Sequence, residues 1–106
     1  MFNILLCYNM LMENNLAEFF KLFSNELRLM ILDALTEHEK NVSELVKLTG
    51  FSQSNISQQL KILKAANIVS SHKHGKMIFY TLKDTHINEI IEAARVHLEE
   101  KNEFST

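Results

Sequence analysis

The chain has 106 residues, 46% of them apolar and 23% charged, with two glycines and no proline. That length supports one modest core and hardly two, and the composition is that of a folded chain rather than a disordered one. The net charge of −2 argues against a nucleic-acid binder only until it is divided along the chain: residues 52–83 hold five lysines and no acid, +5, while the remainder holds six basic and thirteen acidic residues, −7.

One basic module therefore sits on an acidic body. So few backbone breakers favour a mostly helical chain with sharp turns at Gly50 and Gly75. The single cysteine, Cys7, excludes an internal disulfide framework and fits a reducing cytosol. With no second soft group near it in sequence, it reads as a small apolar filler.

The opening "MFNILLCYNMLM" is far shorter than the roughly 20 residues a bilayer span needs. It also lacks the basic start and cleavage site of a secretory signal. Residues 1–12 are either extra turns of a first helix packing on a partner or a mis-assigned start before Met12. "NNLAEFFKLF" follows, with Leu16, Phe19, Phe20 and Phe23 on one helical stripe. Ser24 is expected to cap a second helix whose Leu27, Ile31, Ala34 and Leu35 face inward. After the polar loop "TEHEKN", Asn41 and Glu44 have the spacing of a capping box for the short helix "VSELVKLT", which Gly50 ends.

Ser52 caps a fourth helix, "QSNISQQLKILKAAN", with Ile56, Leu60 and Leu63 at helical spacing. Next, "IVSSHKHGKMIFYTL" reads as a β-hairpin turning at His74-Gly75. A last helix, "DTHINEIIEAARVHLEE", completes the chain. Two helices joined at a short Gly-containing turn form a helix-turn-helix, and a basic hairpin directly after makes it a winged one. The expected fold is thus mainly α with a small β-hairpin, a winged helix-turn-helix over residues 13–104.

The exposed face of the fourth helix grades from amides and hydroxyls to lysines. Gln53, Ser54, Ser57 and Gln58 are placed to reach base edges in the major groove. Lys61, Lys64, Lys73 and Lys76 are placed to meet backbone phosphates, which set affinity and register, and His72 and His74 in the wing are read as DNA backbone contacts rather than metal ligands. A lone helix of this kind would more often be a plain solvated face. The preceding turn, the following basic hairpin and the absence of acids favour double-stranded DNA as the partner.

The ordered set "FFKLFSNELRLMILDAL", "SELVKLTGFSQSNISQQLKILKAANIV" and "HKHGKMIFYTL" resembles the ArsR/SmtB family of bacterial winged-helix repressors, over about residues 16–100. The resemblance implies a cytoplasmic homodimer that represses transcription and leaves its operator when an inducer, usually a metal ion, binds. Gln58 departs from the family, whose zinc-sensing members often have His there. The family's thiolate site would need cysteines in "NVSELV", which has none, so soft thiophilic inducers lose their usual ligands. Cys7 alone also makes a dithiol switch impossible.

The last helix offers other ligands. His86 and His97 share one face but stand about 16 Å apart at the helical rise. One copy cannot close a site on them. Antiparallel pairing with a second copy keeps the sum of facing residue numbers nearly constant. His86 with His97 gives 183 and Asp84 with Glu100 gives 184. One register therefore joins Asp84 and His86 of one chain to His97 and Glu100 of the other, twice per two-fold dimer.

Two imidazoles and two carboxylates suit Zn²⁺, with Co²⁺ as the alternative. The pattern resembles the interhelical sites of the family's zinc and cobalt sensors, SmtB and CzrA, which carries the ligand role to these four residues. On the same helix Ile87, Ile91, Ala94 and Leu98 form the stripe expected to face the core. The metal signal is expected to travel from the second ring nitrogen of His97 to a backbone carbonyl near Ile68, and ligand protonation is expected to weaken metal binding as pH falls. The rival readings are a DNA-binding regulator with a vestigial metal site and a metal-binding or docking module without DNA binding. An enzyme is not expected: no nucleophile–base pair and no phosphate-cradling glycine loop stand in the chain.

Overall fold

The computed structural model describes residues 4–104, with side chains described to residue 100. In chain order the elements are α1 (Ile4–Lys21), α2 (Glu26–Leu35), α3 (Val42–Thr49), α4 (Gln53–Ala65), β1 (Val69–His74), β2 (Met77–Leu82) and α5 (Thr85–Phe104). The mainly helical winged helix-turn-helix expected from the sequence is the fold observed.

Local chemistry sets most boundaries. Asn41 accepts from the Glu44 amide at 2.9 Å and Glu44 accepts from the Asn41 amide at 3.1 Å, completing the capping box of α3. Gly50 ends that helix at φ 77°, a left-handed conformation that costs an L side chain about 1–2 kcal/mol. Ser52 then accepts from the Asn55 amide at 3.1 Å, so only Gly50, Phe51 and Ser52 separate α3 from α4.

α4 closes in a Schellman motif. Asn67 takes φ 59°, Ile68 N–H reaches the Leu63 carbonyl at 3.0 Å, and Asn67 N–H reaches that of Lys64 at 3.1 Å. Ile68 and Leu63 are both buried, the apolar contact this motif favours. Asn67 therefore lies past the helix, not within it.

Two expectations shift by one residue. Asn25, not Ser24, caps α2: its side chain accepts from the Arg28 amide at 2.9 Å, while the Ser24 hydroxyl donates back to the Lys21 carbonyl. The hairpin turns at Gly75-Lys76, because His74 pairs with Met77. Positive φ falls on Gly75 alone, the first loop residue, as in a type II′ turn.

The core joins α2, α3, α4 and the base of the wing, with Ile31, Leu32, Leu45, Ile56, Leu60, Leu63, Ile68 and Val69 fully buried. Each such side chain contributes about 1.5–3 kcal/mol of transfer free energy. Lys40 is buried as well. Its ammonium donates to the Ala34 carbonyl at 2.9 Å at the end of α2, and its backbone pairs in both directions with Tyr80 of β2. A cation there offsets the helix dipole, and the bridge fixes the wing against the loop before α3.

The two long helices are less covered than their patterns implied. α1 is continuous from Ile4 to Lys21, yet none of its residues is buried. Phe19 and Phe23 pack on the core, whereas Leu16 and Phe20 are about half exposed. In α5, Ile87 and Ile91 are buried, but Ala94 and Leu98 of the same stripe are exposed. No described residue covers these side chains.

Candidate nucleic-acid interface and metal site

The core positions α4 so that its polar face is its outer face. With Ile56, Leu60 and Leu63 buried, Gln53, Ser54, Ser57, Gln58, Lys61 and Lys64 are all exposed. The wing adds Lys73, His74 and Lys76, also exposed. A shallow cleft between the α3 start, α4 and the wing is lined by Asn41, Ser43, Ser57, Lys76 and Tyr80. It places a hydroxyl of the reading helix and a wing lysine on one surface.

His72 makes no part of the basic row: its Nε2 lies 2.9 Å from Glu39 in the loop before α3, and its ring stacks on Phe79. This clasp was not foreseen. It orients the wing from outside the hairpin.

The four expected metal ligands are all exposed and stand at the two ends of α5. Asp84 caps the helix, accepting from the His86 amide at 2.9 Å, with His86 Nδ1 3.3 Å from the same oxygen. His97 and Glu100 lie near the other end. Among the described residues no group of three or more His, Cys, Asp or Glu is gathered as for a metal ion. One chain therefore keeps the two expected pairs apart, as their spacing requires. Two imidazoles and two carboxylates remain a donor set fitted to Zn²⁺.

Among the described residues the His97 side chain makes no hydrogen bond, and the Ile68 carbonyl accepts from Lys83 N–H at 2.9 Å, at the base of the wing. The polar tie that does leave α5 is Arg95, which the sequence reading passed over. Its Nη2 donates to Asp33 of α2 and its Nη1 to Glu92, each at 3.0 Å. The hydrogen bond and charge of Asp33, with Glu92 adding less, raise the guanidinium pKa further. Beside this tie runs an apolar groove lined by Phe20, Phe23, Leu29, Ile90, Ala94 and Leu98.

Comparison with known proteins places this geometry. Residues 25–71 match the model of the bacterial regulatory protein, arsR family. The HTH-type transcriptional regulator Rv0081 of Mycobacterium tuberculosis is 36% identical over 80 residues, covering 74% of this chain and 70% of that protein. Its crystal structure superposes with a TM-score of 0.83 at 32% identity, covering 89% of this chain and 95% of that one. A transcriptional repressor SmtB homolog of Synechocystis is 31% identical over 87 residues, 82% of this chain and 66% of the relative. The transcriptional activator HlyU of Vibrio cholerae is 38% identical over 84 residues, 76% of this chain and 78% of the relative. None of these relatives is described as an enzyme, and no described helix is long and apolar enough to cross a membrane. Fold, basic reading face and relatives agree: the chain belongs to the ArsR family of winged-helix transcriptional regulators.

Proposed function

We propose that the protein is a homodimeric, zinc-released repressor, related in mechanism to the zinc and cobalt sensors of its family. The observation that carries this reading is the split ligand set: Asp84 and His86 at one end of α5, His97 and Glu100 at the other, in a register that antiparallel pairing with a second copy closes twice. The exposed apolar side chains of α1 and α5, including Phe20 and Leu98, support burial of these helices by that second copy. The domain proper is residues 13–104, preceded by an apolar stretch that is either an extension of the interface helix, which begins at Ile4, or a mis-assigned start.

In the apo dimer, two copies of α4 lie one DNA turn apart and enter successive major grooves of a pseudo-palindromic operator. Gln53, Ser54, Ser57 and Gln58 meet base edges; Lys61, Lys64, Lys73, His74 and Lys76 meet phosphates. Asp84 and His86 of one chain with His97 and Glu100 of the other would hold the ion, Zn²⁺ or Co²⁺, whose role is to cross-link the paired helices. Fixing α5 against its copy then re-spaces the reading helices and lowers operator affinity. Linkage requires DNA to weaken zinc binding by the same factor.

The test is fluorescence anisotropy of a labelled duplex selected by the protein from a random-sequence pool. Zn²⁺ is expected to release the wild-type dimer and to leave His97→Ala bound; equal release of both would contradict the assignment. A second reading, a regulator whose α5 site no longer takes metal, draws support from Asp84, whose capping bond accounts for its presence without an ion. Wild-type protein that keeps its duplex at saturating Zn²⁺ would favour it.

A further inference from the structure

α5 is attached to the rest of the chain in two unequal ways. Its first half is anchored by Ile87 and Ile91, 5% and 8% exposed. Beyond Ile91 no described side chain of the helix is buried. In that second half, which carries His97 and Glu100, the polar tie to another helix is Arg95 to Asp33 of α2, 62 residues away in sequence. Among the described residues it is the sole hydrogen bond between side chains of two different helices.

The placement is directional. At 3.6 residues per turn, positions 95 and 97 stand about 200° apart around the helix axis. The guanidinium therefore faces α2 while the His97 imidazole points away from the body. Any force on His97 from a second copy acts on a segment that Arg95 holds from the opposite side. Opening the contact buries no unpaired charge, because Arg95 keeps Glu92 as a partner on its own helix at 3.0 Å and Asp33, 54% exposed, is left to solvent. An ion pair between half-exposed partners adds little to global stability, so it can open without unfolding anything.

We propose that Arg95–Asp33 is a latch holding the ligand-bearing half of α5 in its DNA-binding pose, so that capture of zinc by His97 and Glu100 works against this pair. The proposal rests on the zinc-release reading and assigns Arg95 and Asp33 as positioning residues, not ligands. While the latched pose dominates, removing the latch leaves operator affinity nearly unchanged and makes zinc binding easier, because less of the binding free energy is spent on the change of pose.

The experiment uses full-length dimer, with Zn²⁺ affinity read by competition with a chromophoric chelator and DNA binding read on the selected duplex. Arg95→Gln and Asp33→Asn are each expected to bind Zn²⁺ about two- to five-fold more tightly than wild type. Apo operator affinity is expected to stay within about twofold. The double variant should go no further than either single one, as a shared contact requires. Arg95→Lys should restore part of the wild-type value, and Glu92→Gln should change little. A merely structural role would lower the melting temperature without tightening zinc binding. Unchanged or weaker zinc binding in both single variants, or shifts that add in the double, would overturn the latch while the wild type still releases DNA. A wild type that keeps its DNA at saturating zinc would overturn the zinc reading and the latch with it.

Discussion

In the helix-turn-helix and wing, the inward positions Leu45, Ile56, Leu60, Leu63, Ile68 and Val69 are buried, and the outer face of α4 is amide, hydroxyl and lysine. In α1 none of the 18 residues is buried, and Ile4, Tyr8, Met10, Leu11 and Met12 are half or more exposed. α5 repeats the contrast within one helix, buried at Ile87 and exposed at Leu98. The first region completes its burial and its chemistry in a single chain. The second does not: its apolar faces lack a cover within one chain, and the metal site proposed on α5 would need a second copy to close it. The uncovered faces mark where a second copy would dock, since soluble monomers rarely expose contiguous apolar surface on this scale.

Truncating one leucine in each region separates the two kinds of burial. Leu60→Ala, in the completed core, is expected to cost about 2–5 kcal/mol in urea unfolding, at every protein concentration. Leu98→Ala, 60% exposed in the single chain, is expected to act instead on the dimer dissociation constant measured by sedimentation. Equal, concentration-independent losses in the two variants would erase the distinction.

Glycine substitutions sharpen it further. Gly50→Ala should cost about 1–2 kcal/mol, wholly from its positive φ, because nothing lies within 4 Å of the added methyl. Gly75→Ala carries the same strain at the wing tip, and is expected to weaken operator binding more than it lowers the melting temperature. Removing the α3 cap, Asn41→Ala, should cost about 1 kcal/mol in the same unfolding assay. Smallest in stability are the surface lysines. Lys61→Ala and Lys64→Ala should leave unfolding unchanged while each lowers the salt slope of DNA binding by about 0.9. Gln58→Ala should instead relax sequence choice at one base pair.

What the sequence made legible was chemistry that acts over three or four residues. The Asn41–Glu44 box, the Gly50 stop and the Ser52 cap each join groups on neighbouring turns, and each is present. Where two neighbours offer the same chemistry the choice slipped by one: Ser24 and Asn25 are both capping residues, and Gly75 fits either centre of a two-residue turn. Contacts between distant segments carried no local signal. Burial of Lys40, the His72–Glu39 clasp and the Arg95–Asp33 tie all depend on how helices and wing are stacked. The exposed end of the α5 stripe was legible as apolar, but periodicity cannot tell a core-facing stripe from a partner-facing one. For the ligands, the spacing of Asp84, His86, His97 and Glu100 already excluded closure within one chain, and the structure keeps the two pairs apart.

A metal site completed by two copies of α5 is tested by an optical titration of apo-protein with Co²⁺, for wild type and His97→Ala. The account predicts intense tetrahedral ligand-field bands that saturate at one ion per chain in the wild type and are lost in the variant. Weak octahedral bands, or bands that survive the substitution, would contradict it.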